Sequence, residues 1–224
     1  MCHMTQYGQF CPVAKASEIF AERWTPLVLR ELLCGTERFS DIRRGVPLMS
    51  PSLLSNRLKA LERNGIIERR GSPRAARYIL TEAGEELRPV VMLLGQWGKK
   101  FASDRIEPGD YDVMLLMWDI SRRVDASAMP PGTHVVAFDF PDAPKAKRHF
   151  WLLARDGAAE LCLHDPGHEV GLTLRSSVRT LADIWLGQRD LAQARRANDL
   201  ELEGARPLIK TLPQWFTLSL FAEA

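Results

Sequence analysis

Apolar positions fall at helical spacing through the first hundred residues and shift to strand spacing after residue 132. Val13, Ala16, Ile19 and Phe20 make the stripe of a first helix that opens at Cys11-Pro12, where proline's missing N–H costs no bond. Thr25-Pro26 repeats that opening with Thr25 as the cap, and Leu29, Leu32 and Leu33 face inward before Gly35 ends the second helix. Leu54, Leu58 and Leu61 stand at i, i+4 and i+7 in a helix capped by Ser50, started by Pro51 and ended before Gly65. A helix over 38–44 precedes it across the turn Gly45–Met49. Residues 66–70 and 76–80 predict a two-stranded ribbon. Thr81 caps the next helix, in which Leu87, Val90, Leu94, Trp97 and Phe101 form one seam and Pro89 predicts a kink.

Residues 102–110 read as a boundary, and a helix over about 111–123 follows. Strands are then predicted over 133–140, 148–155, 159–164 and 170–174, helices over 178–186 and 190–197, a strand over 200–203 and a last helix over 205–216.

The pattern from 38 to 80 is that of a winged helix-turn-helix. At 100° per residue, the face opposite the Leu54 stripe carries Ser52, Ser55, Asn56, Lys59 and Arg63. Short donors and acceptors flanked by cations suit a helix entering a major groove. From Glu37 to Arg77 there are ten Lys/Arg and four Asp/Glu, a net of +6, as phosphate contact requires. The expected DNA contacts are Arg38, Arg43, Ser50, Ser52, Ser55, Asn56, Lys59, Arg74 and Arg77.

The formal net charge of +2 over 224 residues conceals an asymmetry. Residues 1–100 carry sixteen basic and ten acidic side chains, and residues 101–224 carry fourteen and eighteen, so the halves expect different partners. Four cysteines without a framework spacing, and no signal-peptide pattern, point to a reducing cytoplasm. No apolar run is long enough to span a bilayer, so no membrane partner is expected. Cys162, His164, Asp165 and His168 lack a second pair at zinc spacing, so no metal is expected. No catalytic constellation and no phosphate loop stand out, so neither an enzyme nor a cofactor is expected. Cys11, just before a helix, has the setting of a thiol whose thiolate is favoured; the alternative, a small buried residue, fits the position somewhat better.

Cys11-Pro12-Val13-Ala14, Arg23-Trp24-Thr25, Leu29-Arg30-Glu31-Leu32, Arg38-Phe39-Ser40-Asp41-Ile42, Ser50-Pro51-Ser52-Leu53-Leu54-Ser55 and Leu80-Thr81-Glu82-Ala83-Gly84 stand in the order found in HxlR-type transcriptional regulators. Residues 7 to about 101 resemble that family. The resemblance implies a homodimer on a pseudo-palindromic double-stranded operator, with the Leu87–Phe101 seam as dimer interface. It also implies a redox role for Cys11, since some such regulators sense oxidants at a Cys-Pro. Ala76-Arg77-Tyr78 departs from the Val-Glu-Tyr usual in the family's wing and reverses a charge.

Residues 177–187 with Leu200-Glu201-Leu202-Glu203-Gly204 resemble sterol-carrier-protein-type domains over about 124–220. That implies a hydrophobic or lipid-like effector, with Trp118, Trp151, Trp185, Trp215 and Phe216 as walls of its site, unless these rings simply fill a core. The expected chain is multidomain α+β: a winged helix-turn-helix over 1–101, a linker and connecting helix over 102–123, and a mixed α/β sterol-carrier-like sheet covered by helices over 124–224. Its expected role is that of a bacterial transcriptional regulator. The alternative is a carrier of lipid or other hydrophobic small molecules.

Overall fold

The computed structural model describes residues 6–72 and 75–222. Arg74, an expected DNA contact at the wing tip, lies outside the described residues. The chain divides into two compact units, Met1–Trp97 and Gly98–Ala224.

In the first unit α1 (Pro12–Phe20), α2 (Thr25–Leu33), α3 (Phe39–Gly45) and α4 (Pro51–Arg63) are followed by strands β1 (Ile67–Arg70) and β2 (Arg77–Leu80). The strands are antiparallel, with Ile67 opposite Leu80 and Arg70 opposite Arg77. Val28, Leu29, Leu32, Ile42, Leu54, Leu58, Leu61 and Ile67 fill one core, as the i, i+4, i+7 pattern of α4 requires. Gly65 has φ +69°, the left-handed conformation that ends α4 without a Cβ clash.

Three local expectations are corrected. Ile19 and Phe20 of the predicted α1 stripe pack on the core, but Val13 is 72% exposed and Ala16 is exposed, with Ala14 buried in their place. Thr25 is not the cap of α2 but its first residue; Trp24, at φ +75°, occupies the cap position. Only three residues separate that cap from the last residue of α1, and the left-handed Trp24 lets the chain reverse there. Pro89 does not kink a continuous helix. A short α5 (Glu82–Glu85) stops and α6 (Arg88–Ala102) begins afresh, with Pro89 in its first turn, where no N–H is needed. Thr81 caps α5 as expected, its hydroxyl accepting from the Gly84 N–H at 3.2 Å.

The second unit holds α7 (Val113–Ser121), β3 (His134–Asp139), β4 (His149–Arg155), β5 (Ala158–Cys162), β6 (Val170–Ser176), α8 (Val178–Trp185), α9 (Leu191–Arg196), β7 (Leu200–Gly204) and α10 (Arg206–Trp215). The strands form one sheet in the order β5-β4-β3-β6-β7. The pair β3–β6 is parallel and the others antiparallel, so the sheet is mixed. Phe138, Phe150, Leu152, Leu172 and Leu174 share a core with Leu116 and Met117 of α7, Leu181 and Trp185 of α8, and Leu208, Leu212 and Trp215 of α10. α7 thus belongs to this core.

Candidate nucleic-acid interface

Ser50 starts α4: its Oγ accepts from the Leu53 N–H at 3.3 Å, and Pro51 follows in the first turn. With Leu54, Leu58 and Leu61 buried, Ser52, Asn56, Lys59 and Arg63 are exposed along the helix and Ser55 is half-exposed. The turn before α4 is tight because Gly45 lies against Glu31. A Cβ on Gly45 would fall 1.9 Å from the Glu31 carboxyl carbon, so any side chain there displaces that buried carboxylate. Arg30 clamps the same place. One guanidinium nitrogen donates to Glu31 at 2.7 Å and to the Gly45 carbonyl at 2.8 Å, fixing α3 on α2.

The helical wheel places Arg57 near the inward side of α4, and its long stem makes that position tolerable. Its guanidinium pairs with Glu22 and is only 10% exposed, so this cation is withdrawn from the outward face. Burial pulls Arg57 below its ordinary value. Its Nε–H and the Thr25 hydroxyl have no partner among the described residues. Sequence reading counted Arg57 in the positive footprint; the structure assigns it to holding α4 on the α1–α2 turn.

The wing is positioned by a contact that periodicity did not reveal. Arg38, at the cap of α3, forms a β-bridge with Arg77, and the Tyr78 N–H donates to the Glu37 carbonyl at 2.8 Å. This brings two of the expected contacts, Arg38 and Arg77, side by side. Arg77 also pairs with Glu37 at 3.4 Å, and Arg70 with Glu68 at 2.9 Å; all four side chains are well exposed. Such surface pairs contribute little and leave the cations able to meet phosphate. Arg43 is exposed on α3.

Of the expected seam, Leu87 is half-buried and packs into the N-terminal core. Val90, Leu94, Trp97 and Phe101 are 43–56% exposed, as is Leu93 at 64%, so α6 carries a broad apolar face. Cys11 occupies the cap position of α1, half-buried. The Cys162 thiol is pushed up, by burial first and by the Glu160 charge second. Among the described residues no cluster of three or more His, Cys, Asp or Glu could hold a metal.

The five expected ligand-wall residues are not brought together. Trp185, Trp215 and Phe216 are buried and meet edge to face, with ring centres 6.2–6.3 Å apart. Trp151 alternates with the inward Phe150 and Leu152, so it lies on the other face of the sheet beside His149. Trp118, half-buried on α7, stacks with Arg122. A cleft of about 430 Å³ in this unit has a different lining, of which Tyr111, Asp142 and Val178 are part.

No helix among the described residues is long and apolar enough to cross a membrane. Residues 19–106 match the HxlR-like helix-turn-helix family. YdeP of Bacillus subtilis, an uncharacterized HTH-type transcriptional regulator, is 35% identical over 100 residues, covering 43% of this chain and 77% of that protein. YvaP of the same organism, also an uncharacterized HTH-type transcriptional regulator, is 35% identical over 109 residues, 47% of this chain and 97% of its own. The HTH-type transcriptional regulator YodB, again from Bacillus subtilis, is 36% identical over 104 residues, 45% of this chain and 89% of its own. All three are named as HTH-type transcriptional regulators. With nearly the full length of such relatives matched by its N-terminal half, the chain belongs to the HxlR-like helix-turn-helix family.

Proposed function

We propose that two copies of this chain bind a pseudo-palindromic operator, each placing α4 in a major groove with the wing against the flanking backbone. The observation that carries this is the division of α4: its leucines are buried while Ser52, Asn56, Lys59 and Arg63 are exposed, and Arg38 and Arg77 are exposed side by side at the wing. Asn56 and the serines have the reach for base edges, and the arginines and Lys59 for phosphates. Arg74 extends the same role to the wing tip. The dimer is read from α6, whose Val90, Leu93, Leu94 and Trp97 form an apolar face that a second copy would cover.

We read DNA binding and dimerisation in the part up to α6 and sensing in the second unit, whose core includes α7 of the expected 102–123 connection. The mixed five-stranded sheet covered by helices supports reading the sensing part as sterol-carrier-like, with a hydrophobic small molecule as effector. Cys11 is a second sensing position. Its place at a helix start favours faster alkylation than at Cys162, whose thiol is pushed up by burial.

Footprinting with analytical ultracentrifugation tests the core of this reading. Two protected half-sites about one helical turn apart, bound by a dimer, are expected. A single undivided footprint from a monomer rules it out.

A further inference from the structure

The cleft of about 430 Å³ in the C-terminal unit falls within the range of about 300–1,000 Å³ typical of small-molecule sites. Ile106, Pro108, Tyr111 and Val113 line it from the approach to α7, and Asp142 to Pro144 with Ser177 to Arg179 line it from the start of α8. Both segments contribute apolar residues, against which a ring can pack.

Two of the lining residues are charged, and they differ in what already answers them. Arg179 has a countercharge on its own helix, Asp183 at 3.7 Å. Asp142, exposed on its loop, accepts one N–H among the described residues, that of Val178, at 3.1 Å from each oxygen. A carboxylate has about four acceptor sites, so Asp142 retains capacity for a donor. Asp142 also already meets the positive end of α8, and an anion entering there would face a like charge. Lys145 and Lys147 are exposed beyond Pro144 but do not line the cleft.

We infer that this cleft, and not the aromatic cluster in the core, is the ligand site of the C-terminal unit, and that it takes a planar aromatic molecule bearing a protonated amine. The ring packs against Pro108 and Tyr111 from one segment and Pro144 and Val178 from the other, and the amine donates to Asp142. The site also has a direct route to the dimer helix. Ile106, Pro108 and Tyr111 lie within nine residues of the end of α6 at Ala102, so a ligand that fixes them restrains the chain leaving that helix. This last step rests on the reading of the C-terminal unit as the sensing part; the site itself does not.

Calorimetric titration of the full chain with tryptamine, indole-3-acetate and indole tests the site. Tryptamine is expected to bind with Kd below about 1 mM and at least about tenfold more tightly than indole-3-acetate, because Asp142 retains acceptor capacity whereas the Arg179 charge is shared with Asp183. Asp142→Asn retains an acceptor for the Val178 N–H but should erase the preference for the amine. Ala143→Phe fills the cleft from its loop and should abolish binding. Absence of binding, equal affinity for amine and carboxylate, or undiminished binding by a folded Ala143→Phe overturns the assignment. Repeating the titration with operator DNA separates the two readings. A changed operator affinity supports the coupling, reciprocal by linkage. Selective tryptamine binding with unchanged operator affinity keeps the site and removes the sensing role.

Discussion

Helices α4 and α8 start alike and end up in opposite surroundings. Each has a serine cap whose hydroxyl accepts from the N–H three residues on, Leu53 at 3.3 Å and Thr180 at 3.0 Å. Over its thirteen residues α4 buries four side chains, all on one side. Over its eight residues α8 buries six, and its charged Arg179 and Asp183 pair with each other. Capping and spacing therefore set where a helix begins and which side is apolar. What it offers to a partner depends on how many of its sides the rest of the fold covers. α4 retains a polar face, whereas α8 offers little beyond its first turn.

The largest expected effects test whether the two helices belong to separate cores. Leu58→Ala and Leu181→Ala each empty a fully buried position and should cost about 2–5 kcal/mol. In calorimetry with two resolved transitions, Leu58→Ala should lower one and Leu181→Ala the other. Equal displacement of both transitions by either variant would join the units into one cooperative body.

Asn56→Ala comes next, because the exposed face of α4 is what α8 lacks. It should cost about 1–3 kcal/mol on specific operator and little on random DNA. Arg77→Ala should weaken both DNAs alike and lower the salt slope by about 1. Fluorescence titrations at several salt concentrations separate the two. Identical losses of Asn56→Ala on both DNAs would move Asn56 to the backbone.

The caps give a finer comparison. Ser50→Ala should cost about 1 kcal/mol, since Ser50 alone supplies the side-chain cap of α4. Ser177→Ala should cost less, because Asp142 also accepts from the first turn of α8. Denaturant melts of the two variants check the order, and a larger loss at Ser177 would overturn it.

The smallest effect depends on pH. Arg148 first, then His149 and Arg175, hold the Asp139 carboxyl below the usual carboxylate range. The Arg148 contacts are 2.5 and 3.0 Å. Its contribution is therefore complete above the ordinary carboxylate value and is lost as pH falls through the lowered one. Asp139→Asn should destabilise the second unit at neutral pH, and the gap to the unaltered chain should close on acidification. A gap that is constant down to pH 2 would show that packing, not charge, sets the loss.

Much of the order of elements was legible locally. In the second unit the predicted strands over 133–140, 148–155, 159–164 and 170–174 became β3 to β6 with small changes at their ends. Period-two alternation bounded by Pro and Gly turns is a local signal. Arg57 was not legible. A cation within a basic stretch reads as surface, and only the approach of Glu22 from the α1–α2 turn explains its burial. The aromatic wall failed for a related reason. Trp151 and Trp185 look equivalent along the chain, but strand alternation and helix packing send them to opposite faces of the sheet.

The sequence by itself determined the helix starts at Ser50, Thr81 and Ser177, the buried stripe of α4 and the basic wing strands, because each depends on residues within a turn or two of one another. Only the tertiary structure decided which cations face outward, how Arg38 meets Arg77, and that the C-terminal cleft lies between the α7 approach and the start of α8. Those features need segments as much as seventy residues apart to meet, and the separation along the chain leaves no periodic trace for a sequence to display.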